Sequence, residues 1–125
     1  MIKYNLAPYP RNLYIELFSE ESMSNIINKF HTINNEEIIR EDFGNYAAAV
    51  LRVINKKTKE FGYVAVFRPE AMSISHIAHE SYHIADFILE DLDLQYNYNS
   101  GNEHIAYLVG YIAGLIDKGL KRIIK

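Results

Sequence analysis

The chain predicts an α+β domain, and three observations carry that prediction. Residues 46–55 and 61–68 are rich in β-branched and aromatic types and are separated by the polar, charged stretch 56–60, the pattern of an antiparallel hairpin. From Ser73 the apolar period becomes helical, with Ile77, Tyr82, Ile84, Phe87 and Ile88 mixed with polar residues through Asp91. Residues 103–122 read as a last helix, strongly apolar through Leu115. A length of 125 residues suffices for one compact domain with one core, so 1–125 is expected as a single unit. Within it, 1–45 supplies an N-terminal strand and helix, and 46–122 the hairpin and the two later helices.

The elements follow in order. Residues 11–18 (Arg-Asn-Leu-Tyr-Ile-Glu-Leu-Phe) alternate well enough for a strand. Capping candidates and acids between Ser19 and Ser24 precede Ile26, Ile27 and Phe30 at helical spacing, which predicts a helix over 20–31. Asn34-Asn35 marks a break, and 36–42 is ambiguous. Pro69 ends the second hairpin strand. Residues 92–100 read as a polar, tyrosine-bearing loop closed by Gly101, and Asn102 is the expected cap of the last helix.

Composition excludes several classes of chemistry. Apolar content of 49% and charged content of 23% are those of a water-soluble globular chain. A net charge of −3 leaves no basic surplus to neutralise phosphates, so nucleic acid is not an expected partner. The basic run from Lys118 to Lys125 suits the negative end of a helix dipole. Cysteine is absent, which removes thiolate catalysis, thiolate metal ligands and disulfides. Residues 1–10 lack a signal-peptide pattern, and no apolar run reaches the roughly 20 residues that span a bilayer. No membrane partner is expected, and the expected location is a host cytoplasm or a particle packaged from one.

The most specific signal is His79-Glu80-Ser81-Tyr82-His83, an HExxH pattern within the first of the two later helices. Positions i and i+4 share a helix face, so both imidazoles can reach one zinc ion. Glu80 stands where it can deprotonate a zinc-bound water. Two histidines leave a catalytic zinc one protein ligand short. Glu103 lies 20 residues after His83, within Asn102-Glu103-His104-Ile105-Ala106.

On these residues the chain resembles the gluzincin metallopeptidases, the thermolysin-like group, in which an Asn-Glu pair on a following helix supplies the third ligand. It is also similar to small HExxH proteins of bacteriophages and mobile elements, including the ImmA/IrrE-like peptidases, to which the run from Glu103 to Tyr107 adds. The resemblance spans roughly residues 46–115. It implies a minimal zincin-like domain, a short antiparallel sheet packed on two helices, one of them carrying HExxH. It further implies one Zn2+ held by His79, His83 and Glu103, with Glu80 as general base, and strand 61–68 as the edge that receives an extended substrate. Two positions depart from the thermolysin-like pattern. Tyr107 stands where an Asp would orient the first His, and no histidine follows His104. Tyr96 or Tyr98 could then serve the oxyanion.

Other residues have plainer readings. Asp86 shares the face of His79 and His83 but lies too far along the axis to complete a tetrahedron easily. His76, one turn before His79, reads as a surface histidine, His104 points about 100° from Glu103, and His31 is a helix-end residue. Ala106, Gly110, Ala113 and Gly114 form a small-residue face that would let the last helix approach the HExxH helix closely. The expected function is zinc-dependent peptide-bond hydrolysis with a protein or peptide substrate. The alternative is a virion or assembly component, in a ring or tail, built on the same fold and partnered by phage structural proteins or further copies of the chain. A third option is an antirepressor-type regulator that cleaves one partner.

Overall fold

A computed structural model describes residues 1–94 and 101–124. Among these, five strands form one mixed sheet and three α-helices pack on its two faces. In chain order these are β1 (Ile2–Asn5), β2 (Asn12–Leu17), α1 (Glu20–Lys29), β3 (Phe30–Thr32), β4 (Ala48–Asn55), β5 (Phe61–Phe67), α2 (Ile74–Asp91) and α3 (Glu103–Ile123). The α+β class holds, and the expected hairpin is β4–β5. The sheet order β1-β2-β5-β4-β3 makes β2 and β5 parallel neighbours and every other pair antiparallel.

Two expectations need correction. The sheet is not short and purely antiparallel: it has five strands, three of them from residues before 46, and β2 runs parallel to β5. Strand 61–68 is not the edge either: β5 lies between β2 and β4. Its composition explains the position, since Val64, Ala65, Val66 and Phe67 are all buried, as befits a strand covered on both faces. A Cβ on Gly62 would stand 2.6 Å from the Asn12 carbonyl oxygen, so glycine permits the close approach of β2 there.

Side-chain alternation divides the core. Leu13 and Ile15 of β2 join Tyr63, Ala65 and Phe67 of β5 beneath α2 and α3. Tyr14, Val64, Val66 and Val53 face the other way, toward Ile26, Phe30 and Phe43. Helix α1 begins with a reciprocal cap: the Ser22 N–H donates to Ser19 Oγ at 3.0 Å, and the Ser19 N–H to Ser22 Oγ at 2.9 Å. It ends two residues earlier than its periodicity suggests, because Phe30 turns to extended backbone (φ −128°, ψ 153°) and starts β3.

Helix α3 lies over β1 and β2, and α2 over β4. The two helices share a core of Ile77, Ile84, Ala85 and Ile88 with Ile105, Leu108 and Ile112. The small-residue face does not mediate this packing. Ala106, Gly110 and Gly114 are exposed, and a Cβ built on either glycine meets nothing within 4 Å. The close approach of α3 is at Gly119, where a Cβ would stand 2.6 Å from Ile15 Cδ1. Asn102 precedes α3 in left-handed backbone (φ 59°) and makes no side-chain capping hydrogen bond. No helix among the described residues is long and apolar enough to cross a membrane.

Candidate metal centre

Ser73 starts α2, its hydroxyl accepting the His76 N–H at 3.4 Å. At 100° per residue, Ile77, Ile84 and Ile88 face the sheet, while His76, His79, His83 and Phe87 fall on the adjoining flank. That flank and the start of β4 enclose a cleft of about 620 Å³, lined also by Asp42, Tyr46 and residues 47–50. The strand side of the cleft is a free edge. Strand β3 pairs only with Val53, Ile54 and Asn55 of β4, so, among the described residues, 48–52 have no strand neighbour on that side. The Asn55 N–H donates within the hairpin to Glu60, and the Lys56 N–H donates outward to Lys29. By alternation the backbone N–H and C=O groups of Ala48, Val50 and Arg52 point outward, away from β5.

His79 and His83 present their Nε2 atoms to each other at 3.1 Å. Two ligands about 2.05 Å from one zinc at the tetrahedral angle stand roughly 3.3 Å apart, so the pair fits a shared ion with little adjustment. Glu80 sits between the histidine flank and the apolar face and is only 7% exposed. Its Oε2 is 3.9 Å from His79 Nε2. Burial raises the Glu80 pKa above the ordinary carboxyl value, and the neighbouring His79, His83 and His76 oppose that shift. The arrangement therefore offers two nitrogen donors and a desolvated carboxyl at one wall of an otherwise largely apolar cleft.

The remaining expected residues lie elsewhere. Glu103 is exposed as the first residue of α3, whereas His83 lies eight residues before the end of α2, about 12 Å along its axis. Among the described residues no group of three His, Asp or Glu side chains is placed to hold a metal ion. His104 Nε2 pairs with the Tyr9 hydroxyl at 2.8 Å. His31 Nδ1 lies 3.0 Å from Glu37, and His76 Nδ1 2.7 Å from Ser73 Oγ. Tyr96 and Tyr98 fall outside the described residues.

The structure adds neighbours that sequence reasoning missed. Phe87 stacks on His83 (ring centroids 6.5 Å apart), and the Arg52 guanidinium lies 4.2 Å from the Phe87 ring centre. Arg52 also donates to Asp91 at 3.0 Å, and the Tyr63 hydroxyl donates to the other Asp91 oxygen at 2.7 Å. The acidic end of α2, unfavourable for the helix dipole by itself, is thus neutralised by a strand residue. The spacing of Phe87, one turn after His83, is a signal that could have found it. No protein-family model, curated protein or solved structure matches the chain.

Proposed function

We propose that the chain is a zincin-like, zinc-dependent peptidase that hydrolyses peptide bonds in the cleft between α2 and the free edge of β4. The observation that carries this reading is the 3.1 Å convergence of His79 and His83 Nε2 beside the buried Glu80. His79 and His83 would hold the ion, and Glu103 is the third protein ligand proposed from its spacing. Bound there, zinc supplies a Lewis acid for the peptide carbonyl and brings the pKa of water toward neutrality. Glu80 accepts the proton of the attacking water and delivers it to the leaving amine. The outward N–H and C=O groups of Ala48 and Val50 align the substrate backbone as an added strand.

The test pairs metal content with cleavage of a mixed fluorogenic peptide set. Wild type is expected to hold one zinc per chain and to cleave. Glu80→Gln keeps the zinc and loses about 10²–10⁴-fold in rate, the usual scale for a general base. His83→Ala loses the ion, and Glu103→Gln weakens its binding. Cleavage by Glu80→Gln at the wild-type rate sinks the mechanism.

The assembly reading has one observation in its favour, the uncharged outward face of α3 around the 75% exposed Tyr107. A high-order ring with substoichiometric zinc and no cleavage would favour it over the enzyme.

A further inference from the structure

At 100° per residue, Glu103, Tyr107, Gly110, Gly114, Asp117 and Lys121 share one stripe of α3. It lies opposite the buried Ile105, Leu108, Ile112 and Ile116. The middle of this stripe is unlike a solvated helix face. From Ala106 to Gly114 it carries no charge for more than two turns, with Tyr107 exposed on it and Tyr111 exposed at its margin. Gly110 and Gly114 lie inside the helix, where glycine is the poorest former after proline. Nothing among the described residues requires them, since a Cβ on either meets open space. Gly119 of the same helix, by contrast, is required by Ile15.

The charges on the stripe identify the occupant. The stripe carries Glu103 at its N-terminal end and Asp117 and Lys121 toward its C-terminal end, with Lys118 and Arg122 on its flank. The stripe is symmetric about residue 112. An antiparallel pair of α3 helices centred there faces Gly110 with Gly114 of a second copy. The same pairing sets Tyr107 beside Asp117, Ala106 beside Lys118, and Glu103 beside Lys121. Asp117 now holds Lys121 in an exposed pair at 2.9 Å, which solvent screens and which repairing can replace. A two-fold interface must be complementary to itself, and this stripe is.

We propose that the outward face of α3 binds a second copy of this chain, antiparallel, with the two helices in contact at Gly110 and Gly114. The proposal is independent of the hydrolytic reading, and its test is run in chelator so that no metal enters the measurement.

The test is sedimentation equilibrium of the full chain at concentrations up to about 100 µM, which reaches contacts of micromolar strength. Wild type is expected to approach twice the 14.5 kDa chain mass. Gly110→Gln with Gly114→Gln, a change to better helix formers that project into the contact, is expected at the single-chain mass with unchanged circular dichroism. Lys118→Glu with Lys121→Glu is expected to weaken association at least tenfold and to abolish its salt sensitivity. A wild type of single-chain mass at the highest concentration overturns the proposal. So does a glutamine variant that still pairs, because the contact would then lie elsewhere.

Discussion

At the scale of single residues, Tyr63 shows how the environment sets the chemistry. Burial, and then the hydrogen bond to Asp91 and its charge, push the Tyr63 phenol well above the ordinary tyrosine range. The sign of the consequence follows from proton counting. Above a pH of about 10 the unfolded chain releases this proton while the folded chain keeps it. The folded state then binds more protons, and stability falls as pH rises. The Tyr63 contribution is complete below pH 10 and lost as pH climbs through the raised value. Tyr63→Phe is expected to destabilise by about 1.5–3 kcal/mol at neutral pH, the scale of a hydrogen bond to a charged group. It is also expected to lose less further stability than wild type above pH 10. Urea unfolding at a series of pH values checks both; parallel pH profiles would show that Tyr63 does not titrate differently on folding. None of this was legible in the sequence, because Tyr63 and Asp91 are 28 residues apart and on different elements. His79, Glu80 and His83 were legible because a single helical turn holds them, and local geometry alone brings the two imidazoles together.

At the scale of elements, strand pairing decides what the cleft can hold. The hairpin was legible in its composition and its charged loop, but its neighbours were not. Strand β1 lies in a stretch with two nearby prolines, and β3 continues an apparently helical pattern. The parallel register of Asn12 with Gly62 joins segments 50 residues apart. The free edge therefore passes from β5, where the sequence suggested it, to residues 48–52 of β4. Val50→Pro tests whether that edge receives substrate. Its N–H points away from β5, so proline removes no bond of the β4–β5 ladder and is tolerated at an edge. The variant is expected to keep its zinc and its fold but to lose roughly fivefold in kcat/KM, about 1 kcal/mol for one backbone hydrogen bond. An unchanged kcat/KM in a folded variant would place the substrate elsewhere in the cleft.

At the scale of the molecule, the proposed site is shared by a strand edge and a helix, and something must hold them in register. Arg52 does so from β4. It pairs with Asp91 and Glu90 at the end of α2 and covers Phe87, which in turn stacks on His83. Arg52 and Asp91 are largely shielded, with side chains 22% and 17% exposed. Removing one partner leaves the other charge poorly solvated, a loss that can reach several kcal/mol when burial is complete. Arg52→Ala is therefore expected to destabilise by about 1–3 kcal/mol, less than a fully buried pair because solvent still reaches this one. Tyr63→Phe acts on the same carboxylate, so the double variant should depart from additivity by about 0.5 kcal/mol or more. The functional consequence separates anchoring from mere stability. With Phe87 uncovered, His83 loses its fixed orientation, and zinc affinity is expected to fall several-fold at a temperature where the variant is still folded. Arg52→Lys retains the charge but not the planar fork over Phe87. It should recover part of the stability and little of the affinity. If zinc binding by folded Arg52→Ala equals that of wild type, Arg52 only fastens the layers, and the stack from Arg52 through Phe87 does not orient His83.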